Sequence, residues 1–141
     1  MKNIKVKFDV TWNELSNSDV ENLWCIFDEV NKKIFLDNIP VYKNNISYLD
    51  EISVKIKWDE IWFDTVVKKS GNKTMKLYFF RWIDEKIIKS ILKELTKLWL
   101  SYEWHWWYLF WVNIPEKNSL ETVYIFLNKY ADKLSYEISN G

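Results

Sequence analysis

Val6, Phe8 and Val10 alternate with Lys5, Lys7 and Asp9, a period of two that predicts a strand with one buried face. Residues 23–27 are apolar without a break, which predicts a strand covered on both faces. Polar residues 28–33 follow, with Asn31 suited to a hairpin turn, and Ile34, Phe35 and Leu36 form the return strand. Asp37-Asn38-Ile39-Pro40 ends it, because Pro40 has no amide to give a ladder and Asn38 tolerates turn geometry. Ile52, Val54 and Ile56 alternate with Ser53, Lys55 and Lys57 in a further strand. Asp59-Glu60 predicts a turn, and residues 61–67 a strand that stops at Lys69-Ser70-Gly71-Asn72. Gly71 is expected where the backbone needs a positive φ. Short strands parted by turns predict a small β-barrel or bent antiparallel sheet over residues 1–74.

Residues 75–141 change period. Residues 75–80 predict a strand. Asp84 is placed to cap a helix running to about Leu100, with Glu85 at its positive end. Its apolar stripe is Ile87, Ile88, Ile91, Leu92, Leu95, Leu98 and Trp99, and Lys86, Lys89, Lys93 and Lys97 form its solvated side. Residues 104–112 are apolar on both faces. Trp104, Trp106, Tyr108 and Phe110 are expected to point one way and His105, Trp107, Leu109 and Trp111 the other, in one central strand. Asn113-Ile114-Pro115 ends it. Ser119 caps a second helix striped by Leu120, Val123, Tyr124, Leu127 and Tyr130, and Leu134, Tyr136 and Ile138 alternate in a last strand. The second half thus reads as a ferredoxin-like β-α-β-α-β unit with both helices on one sheet face. The whole chain reads as α+β, the two halves packing as one compact unit.

Composition sharpens this picture in one respect. The 141 residues include ten Trp, eight Tyr and eight Phe. Each ring can remove roughly 150–250 Å² from water, so a few fill a core. The plainer reading is an aromatic interior; the sharper one is a surplus left outside as a docking face. Basic and acidic residues balance at 20 each, and they are mixed along the chain. No basic stripe is present to neutralise phosphates, and Arg81 is the sole arginine, so nucleic acid is not an expected partner. Cys25 stands alone and makes no intramolecular disulfide, which fits a reducing compartment. Met1-Lys2-Asn3-Ile4-Lys5 does not open a signal peptide, and no apolar run approaches the roughly 20 residues that span a bilayer. A cytoplasmic protein away from membranes is expected.

Candidate chemistry is sparse. His105, the single histidine, sits among rings with no Ser or Cys nearby in sequence, so a structural role is the plainer reading. Cys25 reads as a small hydrophobe in a strand. A Cys25–His105 dyad needs the two to meet in space. One His and one Cys do not make the usual zinc-ligand sets, and two glycines do not make a phosphate loop. No metal, no cofactor and no enzymatic activity are expected. Trp58-Asp59-Glu60-Ile61-Trp62-Phe63-Asp64 interleaves rings with acids, as a patch docking a basic protein does. Its plainer reading is a hairpin whose rings face the core.

Several pieces together resemble a bacterial family, domain-of-unknown-function family 4265. They are Leu23-Trp24-Cys25, Leu36-Asp37-Asn38-Ile39-Pro40, Ser47-Tyr48-Leu49-Asp50-Glu51-Ile52, Lys69-Ser70-Gly71-Asn72-Lys73-Thr74 and Asn113-Ile114-Pro115. The Trp-rich segment departs from that pattern. The resemblance implies no catalytic residues. Small bacterial proteins of this kind resemble immunity proteins encoded beside secreted toxins. The expected function is therefore an immunity-type inhibitor that binds a toxin domain through Trp58, Asp59, Glu60, Trp62 and Asp64. The alternative is a small-ligand module in which Trp104, Trp106, Trp107 and Trp111 line an aromatic pocket between the two halves.

Overall fold

The computed structural model describes residues 1–10, 19–43 and 45–139. The chain divides into two units, Met1–Asn72 and Lys73–Asn140. The protein is α+β: a closed five-stranded barrel in the first unit, and a four-stranded sheet with two helices in the second.

The barrel is built from β1 (Lys2–Val10), β2 (Asp19–Asp28), β3 (Lys33–Leu36), β4 (Glu51–Lys57) and β5 (Glu60–Lys68). Neighbours in that order pair antiparallel, and β5 returns parallel to β1 with Lys7 opposite Trp62. Val6, Phe8, Leu23, Cys25, Leu36, Ile46 and Ile52 fill the interior. Phe8 is sealed from water and stacks on Phe63 at 4.8 Å. Burying one such ring contributes about 1.5–3 kcal/mol.

Residues 23–27 depart from the expected doubly covered strand. Leu23 and Cys25 point into the barrel, while Trp24 is exposed beneath the Lys5 ammonium, 4.9 Å away. A barrel has one interior, so an unbroken apolar run on its wall must leave alternate residues outside. The turn at residues 29–32 is held by Asp28, whose carboxylate accepts from the Val30 and Asn31 amides at 3.0 and 3.2 Å. Between β4 and β5 the register slips twice, which leaves Asp64 and Val67 as the extra residues of two bulges.

The second unit runs β6 (Lys73–Phe79), α1 (Glu85–Lys97), β7 (Ser101–Trp106), β8 (Leu109–Ile114), α2 (Leu120–Asn128) and β9 (Leu134–Ser139). Its strand order is β7-β8-β6-β9. Met75, Leu77, Phe110, Val112 and Ile114 share one core with Ile91, Leu95, Val123 and Leu127 of the two helices. Asp84 caps α1 as its sequence position predicts, accepting from the Lys86 amide at 2.7 Å. Ser119 occupies the N-cap of α2, but its side chain makes no capping bond.

Two expectations are corrected here. Residues 104–112 are not one central strand. They fold back at Trp107 and Tyr108 into the β7–β8 hairpin, with Trp106 opposite Leu109. The unit is therefore β-α-β-β-α-β, one strand more than the pattern predicts. The reversal uses neither Gly nor Asn, so no turn residue announces it. A register slip at His105 also breaks the alternation. It carries Trp106 to the face of Leu109 and Trp111, while Tyr102 and Trp104 stay on the helix face with Phe110. The second correction is Trp99. It does not extend the α1 stripe but follows the C-cap Leu98 at φ 66°, with 73% of its surface exposed.

Candidate functional site

The β4–β5 hairpin carries the five residues expected to meet a partner. Trp58 and Asp59 form its turn at φ 52° and 61°, between Lys57 and Glu60. Both central residues of such a turn need the left-handed region, where Asn-Gly is favoured. Trp58 is 79% exposed at the tip. The hairpin is thus present, but of residues 58–64 only Ile61 and Phe63 face the core. Glu60, Trp62 and Asp64 lie on the outer face. The Lys57 ammonium sits between two indoles, 4.6 Å from Trp58 and 5.4 Å from Trp62. Glu60 is paired with Lys7 at 3.1 Å. That leaves Asp59 and Asp64 as the exposed acids of the patch.

The β7–β8 hairpin gathers more rings. β7 is an edge strand of its sheet and overhangs α1. Between the two lies a groove of about 490 Å³ lined by Glu85, Lys89, Tyr102, Trp104, Trp107 and Tyr108 among others. A smaller groove of about 200 Å³ lies on the far side of the turn, where Trp106, Trp107 and Tyr108 meet Tyr78 and Arg81. The Trp104 indole donates to the Trp107 carbonyl at 3.1 Å, which fixes its ring against the turn. Trp107 has φ 51° and is 66% exposed.

Of the four indoles expected to line a pocket, Trp104 and Trp107 meet in the larger groove, and Trp106 and Trp107 in the smaller. Trp111 reaches neither: it is 4% exposed and packs edge-on against His105 at 4.5 Å. Its position on β8, opposite Lys76 of β6, places it inside the sheet. Sequence reasoning missed Glu85, Lys89, Tyr102 and Tyr108. Their convergence depends on the hairpin reversal, which no local signal announces.

Cys25 is wholly buried in the barrel, and burial pushes its thiol up to about 12. A thiol held protonated and sealed from water is not a nucleophile. His105 belongs to the other unit and is half-buried beside Trp111. Among the described residues, no group of three or more His, Cys, Asp or Glu is placed to hold a metal ion. Nor, among them, is any helix long and apolar enough to cross a membrane.

The family described as "Domain of unknown function (DUF4265)" matches residues 21–138. The chain belongs to this family. A crystal structure of a hypothetical protein from Neisseria gonorrhoeae is similar, with a TM-score of 0.72 and 23% sequence identity over 95% of this chain and 93% of that one. That likeness shows a shared fold. No curated protein matches the chain.

In this DUF4265 member two of the segments that carried the resemblance, residues 47–52 and 69–74, converge on one clamp. The Asp50 carboxylate accepts from the Ser47 amide and the Ser70 amide, each at 2.8 Å. The Tyr48 carbonyl accepts from the Ser70 hydroxyl at 2.7 Å and the Asn72 amide group at 2.9 Å. Gly71 between them has φ 86°. Asn38 in turn accepts the Trp24 amide at 2.6 Å, where β2 outruns β3. These residues hold loops to the barrel and line neither groove.

Proposed function

We propose that the protein acts by binding another protein, as an immunity-type inhibitor of a bacterial toxin in the cytoplasm, using indoles that project from its turns. One observation carries this reading. Trp58, Trp99 and Trp107 are the tryptophans with positive φ among the described residues, and all three are largely exposed. A non-glycine residue there costs about 1–2 kcal/mol, and an indole left in water forgoes its burial. Folding gains little from Trp at these places: the lysines over Trp58 and Trp99 return only about 0.5–1 kcal/mol each, and Gly or Asn suits the backbone better. A partner that takes the rings does gain, since Trp is the residue most enriched at binding hot spots. Asp59 and Asp64 beside Trp58 give the patch a preference for a basic surface.

Co-expression with the product of the adjacent gene tests the proposal. Rescue of growth and co-purification are expected, and Trp58→Gly should abolish both while leaving the fold intact. Toxicity that persists, with no complex formed, would falsify the inhibitor reading.

A second reading has its own support. The 490 Å³ groove beside the β7–β8 hairpin lies within the 300–1,000 Å³ range of small-molecule sites, and five of the residues that line it carry aromatic rings. It lies inside the second unit, whereas the sequence placed the pocket between the halves. For that unit we also favour a ferredoxin-like assignment. Its support is the order β7-β8-β6-β9, with a helix after the first and third of its strands.

A further inference from the structure

The chain treats its indoles in two ways. Lysine ammonium groups stand over Trp24, Trp58, Trp62, Trp99 and Trp111 at 4.6–5.9 Å. A cation over a ring face is stabilised by the ring's quadrupole. Among the described residues, no such cation stands over Trp104, Trp106 or Trp107. A fourth such indole, Trp82, stacks on Phe80 at 4.9 Å; the other three are gathered at the β7–β8 hairpin, and two of them line the 490 Å³ groove with Tyr102 and Tyr108.

A carboxylate completes this wall. Glu85 lines the same groove and is bonded to Lys89 at 3.2 Å. Both side chains are exposed, and an exposed pair four residues apart on a helix contributes only about 0.3–0.5 kcal/mol. Glu85 is thus readily shared with a second cation. Lys89 holds the carboxylate and leaves the ring faces open.

From these features we infer that the groove binds a small organic cation with an alkylated ammonium head. The head lies against Trp104, Trp107, Tyr102 and Tyr108, and Glu85 neutralises it. Methylated ammonium suits such a wall because its charge is spread over apolar carbons that lose little hydration. The groove's size favours a free small molecule. The inference rests on the small-ligand reading of this groove and is independent of the inhibitor reading.

Choline and its neutral tert-butyl isostere, in which carbon replaces the ammonium nitrogen, separate charge from shape. The full chain is titrated with each while the indole N–H resonances of Trp104 and Trp107 are followed by NMR. Choline is expected to bind about fivefold tighter than the isostere, as one cation–π contact predicts. Glu85→Gln should weaken choline about twofold and Lys89→Gln should tighten it by a similar factor, with no effect on the isostere. Equal binding of both probes would remove the cation inference and leave the groove as a ligand site. Silence to both probes would remove the small-ligand reading as well. Glu85 and Lys89 are exposed, so their substitution leaves the core untouched.

Discussion

The carboxylate of Asp50 accepts the backbone amide of Ser70 at 2.8 Å, joining residues 20 positions apart across the barrel rim. Asp50 is fully buried, and it also holds the Ser47 amide at 2.8 Å and the Lys69 ammonium at 3.4 Å. Lys69 reaches on to the Asn45 carbonyl. Asp50→Ala leaves two amides without an acceptor, and each orphaned donor costs roughly 1–3 kcal/mol. We expect a loss of about 2–5 kcal/mol in urea unfolding, and a smaller loss for Asp50→Asn, which keeps one acceptor oxygen. A loss below 1 kcal/mol, measured against the approximate 1–3 kcal/mol scale of a single orphaned donor, would show that the rim closes without this clamp.

Trp58→Gly and Trp107→Gly should separate folding from function. Glycine takes φ near 50° without steric cost, so thermal stability should hold or rise, by up to about 1–2 kcal/mol. Partner or ligand binding should fall. A marked drop in melting temperature for both variants would mean that these rings pack for stability, and the projecting-indole argument would fail.

The Cys25 thiol is expected to resist alkylation in the native protein at pH 8 and to react on denaturation. Burial raises its pKa from 9.0 to about 12. Between those values the folded state keeps a proton that the unfolded state releases. Stability linked to this group is therefore complete below pH 9 and falls as the pH climbs toward 12. Urea unfolding across that range should show a steeper alkaline decline for the wild type than for Cys25→Ala. Rapid labelling of the native thiol would contradict the burial.

The two helix caps give a paired comparison. Asp84→Ala removes the bond to the Lys86 amide and should cost about 1 kcal/mol. Ser119→Ala should cost a few tenths at most on the same scale, because no capping bond exists to lose. Equal costs from calorimetry would show that the side-chain bond to Lys86 is not what stabilises the start of α1.

These contrasts show where the sequence was readable. Period-two alternation located β1 and β4 because one face of each strand meets the barrel core. Asp84 and Gly71 were legible because a cap and a positive φ demand particular chemistry. The family resemblance was readable from turn and loop segments, two of which the structure joins at Asp50. The β7–β8 reversal was hidden, since Trp107 and Tyr108 continue the apolar run where a turn normally breaks it. The groove was hidden with it, because Glu85 and Trp104 meet only when the chain doubles back. Trp99 was misplaced for a related reason: its spacing continues the α1 stripe, but the backbone has already left the helix.

The seam of the barrel carries a consequence for how binding would be felt. Among the described residues, Lys7 opposite Trp62 is the one registered pair between β1 and β5, with the Lys7–Glu60 ion pair beside it. So short a stitch makes this seam one of the two thinly paired edges of the cylinder, the β3–β4 edge being the other. Any molecule gripping the Trp58 tip and the outer face of Trp62 therefore acts as a staple over that stitch. Protection of β1 amides from solvent exchange should rise on engagement, so the occupancy of the tip can be read from the opposite edge of the seam.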